Sequence, residues 1–424
     1  MVTTFQMQVG VYPSRMTTAE AVQFRQAVLP NGLTIQAEIV PDALTAAAGF
    51  FFRTGARDEN PEVMGVSHFL EHMMFKGTER RTAEDVNRGF DDLGANHNAF
   101  TTTETTAYYA HVPYDALGDA LDILADILRP SLRTEDFDEE KGVILEEIAM
   151  YDDQPFWVLF EQGLERYFGS HPLAHRVLGT RQTVGDLQRD QMKTYFDRRY
   201  SADNGVLVAS GRFEFDDLVE RAEALCGHWP KGDPGRVHEP NLFEPGEIEV
   251  DLADTQQRYL MLLAPSVGIA DHRKYALAQA FQALGDSEGS TFFWELVETG
   301  LAEEATMHLQ THDGCGEAIA TIVCAAENAE QVETIARREM ARLASTVDED
   351  ALLRSRAKIA TSAMLASERP MGRMTRLGSR WSHGLDYTTL DEELDRIRAV
   401  GLDDIRSALD SWPLDRLLAV RGGG

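Results

Sequence analysis

Cysteine is scarce: Cys226, Cys315 and Cys324 are the whole supply in 424 residues. Three scattered thiols make neither a disulfide framework nor a thiolate zinc site, so each is expected to fill a buried structural position. Basic residues are also short, with 40 Lys plus Arg against 70 Asp plus Glu and a formal net charge of -30. Such a surface repels nucleic acid and anionic membranes, which removes both from the expected partners. It can attract basic peptides, although an acidic coat that serves solubility accounts for the charge equally well. Long apolar runs are missing too, none approaching the ~20 residues that span a bilayer. Met1 to Arg25 has neither the basic start nor the apolar core of an export signal. The cytoplasm is therefore the expected compartment, a periplasm reached by another route being the alternative.

What is present has the composition of ordered globular domains, 43% hydrophobic and 26% charged, without low-complexity tracts. Single cores stop growing at roughly 250–300 residues, so a chain of this length is expected to form two domains. The Pro- and Gly-rich segment 231–246 reads as the linker, separating an N-terminal domain, 1–230, from a C-terminal one, 247–424. Both halves run strand, helices, strands and long helices. The fold class expected is α+β, with two similar domains, each a mainly antiparallel sheet packed with helices.

In the first half, an Asn31-Gly32 turn precedes strand signals at 33–40 and 45–53. Helical patterns follow at 65–76 and 83–93, strands at 97–103 and 105–112, and helices at 116–128, 134–151 and 156–168. Thr134 is the expected N-cap of the second of these long helices. One helix near 184–199 and a strand at 205–210 complete the half. The second half reads as a strand at 258–263, helices at 272–284 and 291–299, two strands ending near Cys324, and helices from Ala329, Asp350, Thr375 and Thr388.

Chemistry enters at His68-Phe69-Leu70-Glu71-His72. On a helix, positions i, i+3 and i+4 share a face, so both imidazoles can reach one ion. Neutral imidazole nitrogens suit Zn2+ at ~2.0–2.1 Å, and catalytic zinc keeps three protein ligands plus a water. Glu71 is placed to take a proton from that water. The order His-x-x-Glu-His inverts the commoner metalloprotease arrangement. The five residues alone leave structural histidines as the alternative. A third ligand comes from the 134–151 helix, whose inward stripe reads Glu140, Val143, Ile144, Glu147, Ile148 and Tyr151, with Glu139 and Glu146 pointing away. Ionised carboxylates on an inward face need a partner or a metal. Glu147 is the candidate ligand and Glu140 a residue beside the site, a salt bridge being the alternative for both. His171, His175, His308 and His312 lack a common helical face and are read as structural.

The run from His68 to Thr78, HFLEHMMFKGT, resembles the signature of the pitrilysin family of zinc metallopeptidases, in particular mitochondrial processing peptidase β subunits and their bacterial relatives. The resemblance extends from about Leu29 to Gly401. It implies that His68, His72 and Glu147 bind zinc, that Glu71 is the general base, and that Glu140 is a second acidic residue of the site. It also implies that Asn98, Ala99 and Phe100 lie on an edge strand that holds substrate by main-chain hydrogen bonds. An ordinary strand with Asn98 at a turn is the other reading. The implied activity is endopeptidase cleavage of peptides or unfolded segments in an enclosed chamber, the alternative being a noncatalytic structural or binding subunit of a larger complex.

One departure stands out. Thr291 and Glu303 occupy the positions where the family carries an arginine and a tyrosine aimed at the substrate carbonyl. Threonine has no charge and an ionised glutamate donates no hydrogen bond to an oxyanion, a contact worth ~10²- to 10³-fold in turnover. A homologous partner subunit supplying Arg and Tyr in a heterodimer is therefore expected, with a homodimer as the alternative.

Overall fold

The computed structural model describes residues 22–232, 235–236, 241, 243–252 and 255–424. Positions 233–234, 237–240 and 242 of the expected linker lie outside the described residues.

The Asn31-Gly32 turn, with Gly32 at φ 93°, joins strands β1 (Gln23–Val28) and β2 (Thr34–Ile39). β3 (Thr45–Phe52), β4 (Asn96–Thr101), β5 (Thr106–Pro113) and β6 (Gly205–Gly211) complete a six-stranded sheet, ordered β1-β2-β6-β3-β5-β4. Helices α1 (Val66–Met73), α2 (Ala83–Asp92), α3 (Leu117–Ile127), α4 (Thr134–Asp152), α5 (Pro155–Phe168), α6 (Arg181–Asp186), α7 (Arg189–Arg199) and α8 (Phe215–Cys226) belong to this half of the chain.

The second half builds β7 (Gly246–Val250), β8 (Gln257–Ser266), β9 (Ala302–Thr311), β10 (Gly316–Ala325) and β11 (Leu418–Gly423), ordered β7-β11-β8-β10-β9. Its helices are α9 (Lys274–Gly285), α10 (Ala329–Thr346), α11 (Glu349–Glu368), α12 (Pro370–Ser382), α13 (Leu390–Ala399) and α14 (Leu402–Ser411). Leaving β1 aside, the two sheets share one strand order, and in each the first and last strands pair in parallel while the other pairs are antiparallel. The two-domain α+β expectation is met.

Several local expectations are not. The helix read across 184–199 is two, because Gln188 leaves the helix and caps α7 through Gln191. The helix read at 291–299 ends at Val297, and its part Phe293–Val297 is wound more broadly than an α-helix. Arg133, not Thr134, is the N-cap of α4. Cys315 is half-buried, unlike Cys226 and Cys324.

Both faces of each sheet are covered, which explains why β3 is buried along nearly its whole length. The inner face of the first sheet packs on helices of its own half. Its other face, with Ala47, Phe51, Val206 and Val208, receives Met374 and Leu377 of α12, from the second half. Reciprocally, Leu159 and Tyr167 of α5, from the first half, cover Met261, Leu263, Leu418 and Val420 of the second sheet. The halves thus exchange one helix each. Among the described residues, no helix is long and apolar enough to cross a membrane.

Candidate metal centre

α1 begins where only glycine fits. Gly65 sits at φ 96°, and a Cβ there would lie 2.7 Å from the Leu178 carbonyl oxygen. The N–H groups of Gly65 and Ser67 both donate, at 2.7 Å, to the buried Glu59 carboxylate, which satisfies orphan donors of the first turn. Burial pushes Glu59 up to about 8 against the pull of these donors. Ser67 Oγ lies 2.8 Å from Tyr195 OH. Held at this end, α1 packs against α4 through the stacked rings of Phe69 and Phe137, 4.8 Å apart.

That packing aims His68 and His72 at Glu147. The Nε2 atoms of His68 and His72 lie 3.8 and 3.7 Å from Glu147 Oε2. The three donor atoms are all within 4.8 Å of one another. Ligands ~2.0–2.1 Å from one ion at tetrahedral angles stand ~3.4 Å apart, so the two histidine–carboxylate separations are within a few tenths of an ångström of what one zinc needs. His72 Nδ1 is 2.8 Å from Glu140 Oε1, and Lys76 Nζ pairs with Glu140 Oε2. Glu140 therefore directs the Nδ1–H tautomer of His72 and leaves Nε2 for a metal. Glu71, beside them on α1, accepts from Thr101 Oγ1 at 2.6 Å.

The electrostatics suit a cation. Burial, then the neighbouring His72, lowers His68 to about 4, which keeps its imidazole neutral. Burial would lower His72 as well, but its hydrogen bond to Glu140 and the charges of Glu140, Glu147 and Glu71 raise it. Burial raises Glu71 against the Thr101 hydrogen bond, favouring a group that can take up a proton. Glu140, although buried, is held low by His72 and Lys76.

The inward stripe of α4 is largely as read, with Glu140, Ile144 and Ile148 buried, Glu147 and Tyr151 half-buried, and Glu139 and Glu146 exposed. Val143 is the correction: it is 45% exposed, because the packed stripe is narrower than two residues per turn at that point. Asn98, Ala99 and Phe100 lie within β4, at the open edge of the first sheet, and Asn98 Oδ1 accepts from Ala99 N–H at 2.9 Å. Asn98 is therefore in the strand and not at a turn. Thr291 precedes the Phe293–Val297 segment, and Glu303, exposed on β9, accepts from Gln257 at 2.6 Å. Sequence reasoning missed Glu59, Lys76 and Thr101. Lys76 stood inside the quoted motif, but nothing in spacing pairs it with a carboxylate 64 positions on. Glu104, Asp313 and His383 form a second cluster of metal-ligating types. Its carboxylates already bind arginines, Arg57 to Glu104 at 2.6 Å and Arg236 to Asp313 at 2.8 Å, which gives it a structural role.

Residues 35–181 match the family described as Insulinase (Peptidase family M16), and residues 186–359 match the Peptidase M16 inactive domain. The chain belongs to peptidase family M16. A relative from Streptomyces coelicolor, named an uncharacterized zinc protease, is 31% identical over 393 residues, which are 90% of this chain and 86% of that protein. A Bacillus subtilis relative of the same description is 30% identical over 379 residues, 88% of this chain and 92% of its own. Among solved structures, a Helicobacter pylori protease superposes with a TM-score of 0.86 at 16% identity, covering 95% of this chain and 100% of that one. A chain of complex III2 from Candida albicans superposes at 0.80 and 19% identity, covering 94% and 95%. These two likenesses bear on the M16 fold alone. His68, Glu71, His72, Glu140 and Glu147 all fall within the first M16 match, and Thr291 and Glu303 within the inactive domain.

Proposed function

We propose that this chain is a zinc-dependent endopeptidase of the inverted type that hydrolyses peptides or unfolded segments inside an enclosed chamber. The convergence of His68, His72 and Glu147 from two helices on one point carries the reading, and relatives named zinc proteases support it. Zinc held by these three groups would polarise the scissile carbonyl and lower the pKa of a bound water. Glu71 takes the water's proton and returns it to the leaving amine. Thr101 fixes one oxygen of Glu71 and leaves the other for that transfer. Glu140, anchored by Lys76, holds His72 in place. The open edge of β4 offers Asn98, Ala99 and Phe100 for main-chain pairing with an extended substrate.

Thr291 carries no charge and an ionised Glu303 donates no hydrogen bond, so neither replaces the Arg and Tyr at an oxyanion at neutral pH. The working enzyme is therefore a heterodimer in which this chain is the catalytic subunit and a homologous partner contributes Arg and Tyr. Peptidase assays of the pure zinc-loaded chain, with and without candidate partners, decide the point. Robust turnover by the chain alone would remove the heterodimer and leave a single-chain or homodimeric enzyme. The competing reading, a noncatalytic subunit, draws on the fold shared with the complex III2 chain. A purified chain without stoichiometric zinc would favour that reading.

A further inference from the structure

β4 ends at Thr101, the donor to Glu71, and the chain turns back at once. Thr102 N–H reaches Thr105 O at 2.8 Å, and Thr102 Oγ1 accepts from the N–H groups of Glu104 and Thr105. Glu104 in this turn is buried, and it points across the junction between halves to the turn that joins β9 and β10. There Asp313 N–H donates to its two oxygens at 3.1 and 3.3 Å, and His312 Nδ1 lies 3.4 Å from Oε2. His312 Nε2 is 3.0 Å from Glu317 Oε1 on β10. Arg57 binds both Glu104 and the Asp313 carbonyl, at 2.6 and 2.9 Å. Arg236, from the connecting segment, binds Asp58 and Asp313 at 2.8 Å each, and Arg199 lies 2.9 Å from Asp58. His383, the C-cap of α12, completes the set, 2.8 Å from Asp313 Oδ1.

Four carboxylates, Asp58, Glu104, Asp313 and Glu317, thus meet three guanidiniums, and a protonated His312 makes the fourth cation. Its environment favours that proton, since Glu317 and Glu104 outweigh burial and raise His312 to about 9. Buried charges so closely matched tolerate little displacement, because an uncompensated ion in such a site is strongly destabilising.

We propose that the β9–β10 turn, through His312 and the Asp313 N–H, is a positioning element of the catalytic edge in the other half: it holds Glu104, hence the turn Thr102–Thr105, and with it Thr101 against Glu71. This rests on the reading of Glu71 as the base. The second half, matched by a domain described as inactive, then contributes to the geometry of cleavage without touching substrate.

Amide hydrogen exchange on the full chain tests it. In His312→Leu and in the milder His312→Gln, amides from Asn96 to Thr106 are expected to exchange at least ~10-fold faster while α1 and β3 stay as protected as before. Zinc content should be unchanged, and kcat of the loaded enzyme should fall ~10-fold or more, as small misplacements of catalytic groups do. Thr101→Val should lower kcat without altering exchange at Thr102–Thr105, and Thr101→Ser should restore it. Unaltered exchange along β4 in a folded His312 variant would overturn the proposal, and His312→Gln carries the measurement if His312→Leu does not fold. Faster exchange in the His312 variants with full kcat in Thr101→Val would overturn the link from the edge to Glu71, whereas full hydrolysis in Glu71→Gln would discard Glu71 as base and leave the hold on the edge standing.

Discussion

α1 and α9 hold the same place in the two halves, following β3 and β8, the central strand of the shared order, and α4 packs on α1 as α11 packs on α9. Their interiors differ. The first pair encloses His68, His72, Glu140 and Glu147. In the second pair no buried residue is ionisable: the buried set in α9 is Ala276, Leu277, Gln279, Ala280, Phe281, Leu284 and Gly285, and α11 buries Leu352, Ser355, Ala360 and Ser367. Among its polar members, Gln279 donates to the Ile397 carbonyl at 2.8 Å and Ser355 to the Ala351 carbonyl at 3.0 Å. The same architecture therefore forms without imidazoles or carboxylates at its centre. Packing does not require those in the first pair, since desolvated titratable groups are a cost, and this supports the proposed zinc site.

The sharpest break of this comparison is Glu71→Gln, which keeps shape and removes the base. Hydrolysis should fall ~10²- to 10⁴-fold while one zinc per chain remains; retained activity would end the assignment. Next in size is a pH effect at the junction. Glu317 and Glu104 raise His312 to about 9 from 6.5, so its contribution is complete below 6.5 and is lost as pH rises through 9. Glu104, which burial and Asp313 would raise, is brought down to about 2 by His312 and Arg236, so its contribution is complete above 4.5 and is lost only as pH falls through 2. Unfolding free energy should drop by on the order of 3 kcal/mol between pH 6.5 and 9, and His312→Gln should flatten that slope. Denaturant melts across this range check it.

Glu140→Gln should weaken zinc ~10- to 100-fold by freeing His72, a loss read by competition with a chelator. The smallest expected effect is the most instructive. A His68→Ala, His72→Ala double variant should lose zinc altogether, yet its metal-free fold should stay within ~1 kcal/mol of the metal-free parent, because the α9–α11 pair manages with alanine. A large loss of metal-free stability would mean that the histidines are structural. Zinc retained at pH 4 would count against a two-histidine site, since protons compete for imidazole ligands.

Much of the site was legible because helical spacing is local. His68, Glu71 and His72 share a face by arithmetic, and Glu147 emerged from the stripe of α4. Periodicity marks which positions face inward but not how wide the contact is, and Val143 was lost on that point. Thr101, Glu59 and Lys76 act through partners distant in sequence or on other elements, where spacing carries no signal. The fold followed the same rule. Strand and helix order could be read, but the apolar faces of α5 and α12 give no indication of which sheet they will cover.

The exchange of α5 and α12 reaches beyond packing. A gene divided at the connecting segment would yield two fragments, each carrying a helix the other needs and each with one sheet face bare. Expressed singly, such pieces would be sticky and short-lived; expressed together, they should find each other and restore the whole, which makes the chain a natural candidate for a split reporter. The same interlock means that a protease nick between the halves would leave them clasped.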